Sequence, residues 1–100
     1  MKTNLIQNLS YSFSLQIIEL YKKLIAQKEY VLSKQLLKSG TSIGANVEEG
    51  IAAQSRKDFI SKMSIAAKEA RETRYWLRLL NDSKIVEIDL QPYLERQNKF

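Results

Sequence analysis

One hundred residues, 44% hydrophobic and 27% charged, suit a single soluble globular domain with one modest core. The chain has neither cysteine nor histidine, which removes disulfides, thiolate and imidazole metal sites, and the nucleophilic chemistry built on them. A formal charge of +5 with a pI near 9.5 favours polyanionic partners, and the placement of that charge decides whether it is used.

One proline and three glycines, set among many Lys, Glu, Gln, Leu and Ala, indicate an all-α fold, because sheet proteins of this length need more turn residues. The opening MKTNLIQNLS has too short an apolar run for a signal peptide. No stretch approaches the roughly 18 apolar residues of a membrane span, so a cytoplasmic protein without a membrane partner is expected.

The first helix is expected over about residues 10–27, with Phe13, Ile17, Leu20, Tyr21 and Leu24 on one face and Ser10 or Ser12 as its cap. Lys28, Glu29 and Tyr30 form a link short enough to make the next helix antiparallel. That second helix, about 30–50, places Leu32, Leu36, Gly40, Ile43 and Val47 on an apolar stripe. Gln35, Ser39, Ser42, Asn46 and Glu49 line up beside it.

Gly40, Gly44 and Gly50 each cost such a helix about 1 kcal/mol relative to alanine. Close approach of another backbone to Gly40 and Gly44 would offset this, with Ser42 and Asn46 hydrogen-bonding across the contact. Gly50 reads as the end or the loosened last turn of the helix.

Ser55 opens SRKD, a capping box in which Asp58 can reach back to the Ser55 backbone. The third helix, about 55–80, carries the strongest periodicity: Phe59, Met63, Ala66, Ala70, Thr73, Leu77 and Leu80 recur at steps of four and three, the seam of a rod packed lengthwise. It should be roughly 38 Å long. Asn81, Asp82 and Ser83 break the pattern, and Pro92 suits the first turn of a short fourth helix over about 90–99, with Leu90, Tyr93 and Leu94 on one face.

Three good helices and a weaker fourth, joined by short links, make one domain: an antiparallel up-down-up-down four-helix bundle. A short last helix leaves part of the groove between the longer ones to be covered by another subunit or by further chain.

Opposite the seam of the third helix lie Lys57, Lys68, Arg71 and Arg78, with Tyr75 among them and Arg74 on the flank. A basic stripe of this kind can hold phosphates without reading bases. The same residues also suit a solvated face whose arginines pair with Glu69 and Glu72. Ile65, Trp76 and Leu79 lie beside the seam, where they either widen the monomer's core or form a subunit interface; the interface is the preferred reading.

Asn46 and Glu49 are one turn apart, with Glu48 about 100° away. Without histidines they make a poor metal or acid/base site. Ser42, Asn46, Glu49 and Gly50 are therefore read as structural, tying the second helix to a neighbour or to the following connector. No catalytic residue, metal, cofactor or small-molecule substrate is expected.

The stretch SGTSIGANVEEG resembles the motif of the four-helix-bundle family of 23S rRNA intervening-sequence proteins, Ser-Ile-x-x-Asn, an aliphatic residue, then x-Glu-Gly, here Ser42, Ile43, Asn46, Val47, Glu49 and Gly50. The similarity extends through VLSKQLLKSGTS before it and SRKDFISKMSIAAKEARETRYWLRLL after it, about residues 10–80. The resemblance implies an antiparallel four-helix bundle assembled as a homopentamer. A related accessory protein of diversity-generating retroelements binds nucleic acid through a basic surface, which implies a similar role for the basic helix here. The expected protein is thus a non-enzymatic, self-associating bundle that contacts RNA or DNA. The alternative is a structural or protein-binding adaptor without a nucleic-acid partner.

Overall fold

The computed structural model describes the backbone from residue 2 to 100 and side chains from Leu5 onward, and the described chain forms four helices. They are α1 (Lys2–Ala26), α2 (Leu32–Ile51), α3 (Arg56–Ser83) and α4 (Gln91–Gln97). Each packs on the next, and α4 lies against both α3 and α1. The result is an all-α bundle with a short fourth helix.

The first helix begins at Lys2, not at Ser10. Nothing in KTNLIQNL breaks a helix, and neither serine caps one. Ser10 is buried with its hydroxyl donating to the Gln7 carbonyl at 3.1 Å, a bond within the helix, and Ser12 is an exposed interior residue. Phe13, Ile17, Leu20 and Leu24 are buried as expected, and Tyr21 is half-buried.

The α1–α2 link is a Schellman ending built on Lys28. Its φ of 65° is left-handed, its N–H donates to the Ile25 carbonyl, and the Glu29 N–H donates to the Leu24 carbonyl. Glu29 then turns its carboxylate onto the start of α2, accepting from the backbone N–H of Val31, Leu32 and Ser33 at 3.2, 3.1 and 2.6 Å. A buried negative group on the N-terminal amides also meets the positive end of the helix dipole. Glu29 is thus the cap of α2 and not only part of the link.

Gly40 and Gly44 both face α1, but the expected backbone approach is found at Gly44 alone, and Gly40 meets the Ile17 side chain instead. A Cβ on Gly40 would lie 2.8 Å from Ile17 Cγ1, and one on Gly44 would lie 3.1 Å from Ser14 Oγ and 3.3 Å from the Ser10 carbonyl. A methyl at position 40 would overlap Ile17, and one at position 44 would press Ser14 and the Ser10 carbonyl back by a few tenths of an ångström. Gly50 does not end α2, which continues through Ile51 and contains no left-handed glycine. Its bare backbone instead receives α3, with Met63 Sδ 3.3 Å from where a Cβ would stand.

Ser55 caps α3, its Oγ accepting from Asp58 N at 3.0 Å. Ala66, Ala70, Thr73, Leu77 and Leu80 are buried along the seam, while Phe59 and Met63 at its open end are half-buried. The helix runs three residues past Leu80 and stops at Lys84, whose φ of 55° is left-handed. At 1.5 Å per residue, its 28 residues span about 42 Å, nearly the molecule's long dimension of 44 Å.

Buried Val86 and Leu90 bring the chain back, and Gln27 clasps it. The Gln27 amide donates to the Glu87 carbonyl at 3.1 Å and accepts the Glu87 N–H at 2.8 Å. In α4, Tyr93 donates to Glu19 Oε1 at 3.1 Å and accepts from Lys23 at 3.2 Å, while buried Gln97 donates to the Ala70 carbonyl at 2.7 Å. Beyond α4 a cleft of about 140 Å³ stays open between α1 and α3, lined by Ile6, Met63, Ala67 and Phe100 over Ile43 and Val47.

Candidate nucleic-acid interface

The seam turns one side of α3 toward α2, and helical spacing fixes what the other side carries. Lys57, Lys68, Arg71, Arg74 and Arg78 are all exposed, as is Tyr75. Among the described residues the ion pairs are Lys23–Glu19 at 3.5 Å and Lys62–Glu49 at 3.0 Å, so none of the five cations is neutralised by Glu69 or Glu72. Lys62, the other lysine of α3, is engaged with α2 and belongs to the packing. Tyr75 stands 54% exposed with its ring edge-on to Trp76, centroids 5.2 Å apart. An unneutralised row of cations with an aromatic ring among them can follow a phosphate backbone and offer a surface for a base.

The structure brings Ile65, Trp76 and Leu79 to one flank of α3. Ile65 is exposed, Leu79 half-buried, and Trp76 half-buried against the core. Trp76 therefore both widens the core and offers an edge outward.

Ser42 and Asn46 do not reach across a helix contact. Ser42 Oγ donates to the Lys38 carbonyl at 2.6 Å, and Asn46 Nδ2 to the Ser42 carbonyl at 2.8 Å, both within α2. Both are half-buried at the edge of the packed face, and each bonds to the carbonyl one turn before it. The bond that does cross is Thr73 Oγ1 to Ser39 Oγ, 2.9 Å and buried. Glu49 ties α2 to α3 through Lys62.

The sequence reading missed a second apolar surface, on α1. Tyr11, Leu15 and Ile18 are 65%, 53% and 38% exposed, at steps of four and three. With Thr41, Gly44, Ala45 and Glu48 of α2 they line a cleft of about 390 Å³. The spacing was legible, but the stronger Phe13–Ile17–Leu20–Leu24 stripe on the same helix hid it.

Among the described residues no cluster of acidic side chains is arranged to hold a metal, and no helix is long and apolar enough to cross a membrane.

The model of a family described as 23S rRNA-intervening sequence protein matches residues 2–99. A crystal structure from Bacteroides thetaiotaomicron VPI-5482, of a protein with unknown function from the S23 ribosomal protein family, superposes with a TM-score of 0.94 at 46% identity. The match covers 99% of this chain and 90% of that one. Among curated proteins none matches.

Proposed function

The chain belongs to the 23S rRNA-intervening sequence protein family, and from that premise we propose that it is a cytoplasmic, non-enzymatic, self-associating bundle that binds RNA or DNA through the outer face of α3. One observation carries the reading: Lys57, Lys68, Arg71, Arg74 and Arg78 share an exposed surface on which no carboxylate pairs with them. Contacts of this kind address phosphates, so binding is indifferent to sequence and driven by counterion release. With three to five phosphates engaged, the logarithm of affinity should fall against the logarithm of salt with a slope of about −2 to −5. Exposed apolar residues on the flank, Ile65 with the edges of Trp76 and Leu79, support assembly into a homo-oligomer, a pentamer by family resemblance.

The test is a gel shift with a short RNA and a duplex DNA at low salt. Arg71→Glu combined with Arg78→Glu should weaken the shift while leaving helicity intact, since both side chains are exposed. An unchanged shift in that double variant removes the proposal.

The exposed row Tyr11, Leu15 and Ile18 favours a second reading, a structural or protein-binding adaptor. That reading is distinguished by the absence of nucleic-acid binding near physiological salt while assembly is retained.

A further inference from the structure

Several apolar patches stay exposed after the core is built, and two of them, on α3 and between α1 and α2, differ in shape and carry opposite charges. On α3, Ile65, Glu69, Glu72, Trp76 and Leu79 follow one another at steps of four and three, forming a ridge that is apolar at its ends and acidic in the middle. Across the molecule is the α1–α2 cleft, with Tyr11, Leu15 and Ile18 on one wall and Thr41 and Ala45 on the other. Its floor is low because Gly44 presses against Ser10 and Ser14.

The charges around the two surfaces are complementary. Lys22 continues the row Tyr11, Leu15, Ile18 by four residues, and Lys34 and Lys38 continue the row of Thr41 and Ala45 in the opposite chain direction. Because α1 and α2 are antiparallel, all three exposed lysines gather at the same end of the cleft. Glu48 lies at the other end, beside Tyr11. Along the ridge, Glu72 and Glu69 are about 6 and 10 Å from Trp76; along the cleft, Lys22 is about 6 Å beyond Ile18, and Lys38 and Lys34 are about 4 and 10 Å beyond Thr41. Seating Trp76 between Leu15 and Ile18 therefore brings both acids over the lysines. Neither acid has an ion-pair partner among the described residues of its own chain.

We infer that the occupant of the α1–α2 cleft is the α3 ridge of a second copy of this chain. This rests on the self-association proposed above and specifies its geometry. Ridge and cleft are different surfaces, so the contact is head-to-tail, and each copy keeps one free ridge and one free cleft until a ring closes. A symmetric pair meeting ridge to ridge would set Glu69 and Glu72 against their own like charges. Arg71, Arg74 and Arg78 lie more than about 100° around α3 from the middle of the ridge and stay outside this contact.

Complementation tests it. A cleft variant, Leu15→Glu, keeps its ridge; a ridge variant, Ile65→Glu with Glu72→Lys, keeps its cleft and spares the core-packed Trp76. Circular dichroism and thermal melts confirm that each is folded, and Lys34→Glu replaces Leu15→Glu should the latter melt early. By light scattering, wild type should assemble, and each variant alone should be monomeric or need a concentration at least about tenfold higher. Their equimolar mixture should form a one-to-one dimer, because one intact ridge meets one intact cleft. Assembly of the cleft variant at wild-type concentration overturns the inference and leaves self-association standing. So does a mixture that stays monomeric. A monomeric wild type overturns the self-association reading itself, and this inference with it.

Discussion

Gly40→Ala and Gly50→Ala are the same substitution in the same helix, and the structure assigns them opposite signs. Helix propensity alone favours each by about 1 kcal/mol. At position 40 the added methyl would lie 2.8 and 2.9 Å from the two γ-carbons of Ile17 and 3.3 Å from its Cβ. Ile17 is fully buried and branched at the contact, so no rotation clears all three atoms. The helices must part instead, and overpacking of that kind costs about 1–3 kcal/mol, with further loss as the Gly44 contact beside it opens. We expect Gly40→Ala to destabilise by about 1–2 kcal/mol net, or about 4–16 °C in melting temperature for a chain of this size. At position 50 the nearest atoms are Met63 Sδ at 3.3 Å and Lys62 Cβ at 3.4 Å. Met63 is half-buried and flexible, and a shift of a few tenths of an ångström accommodates the methyl. Gly50→Ala should therefore gain up to about 1 kcal/mol. Urea unfolding followed at 222 nm measures both, provided the m-value is unchanged. A Gly40→Ala variant as stable as wild type would refute the claim that packing against Ile17 outweighs propensity.

Removing the Glu29 carboxylate by Glu29→Ala strips three backbone N–H groups of their acceptor, and unfolding should show a loss of about 2–3 kcal/mol; Glu29→Gln should lose about half of that. Thr73→Val abolishes the buried bond to Ser39 and should cost about 1–2 kcal/mol, whereas the double variant with Ser39→Ala recovers part of it, as a double-mutant cycle would read. The Lys23 ammonium is raised above its ordinary 10.5 by its hydrogen bond to the Tyr93 hydroxyl first, with Glu19 contributing. A raised lysine contributes fully below the unfolded value and loses that contribution as pH climbs through the folded one. Lys23→Met should accordingly melt below wild type near neutral pH, and the gap should narrow only above about pH 10.5. A gap that is constant across that range would show that the ammonium is not the source of the effect.

The buried seam of α3 was legible because one repeating step runs through five turns and more, and tertiary packing follows such a stripe directly. The glycine contacts at 40 and 44 were legible for a related reason: an unfavourable residue twice on one helix face implies a close neighbour. Boundaries were less legible. Ser10 reads as the start of α1 because serine is a common cap, yet a serine inside a helix satisfies its hydroxyl on the preceding turn, and composition does not distinguish the two. The same ambiguity misplaced Ser42 and Asn46, which bond within α2 while Ser39 on the same stripe makes the crossing contact. Glu29 left a signal that went unused, an acidic residue just ahead of a helix lacking Ser, Thr, Asp or Asn at its first position. The exposed cations of α3 were legible from their spacing; the cleft on α1 emerged only when the helices were seen to leave Tyr11, Leu15 and Ile18 uncovered.

The Gln27 clasp touches only main-chain atoms at position 87. Any side chain except proline can therefore present the same contact at 87, while at 27 only a primary amide of the right reach makes both bonds. A saturation library should find two surface neighbours of unequal permissiveness, position 87 nearly blank and position 27 favouring glutamine by about 1–2 kcal/mol.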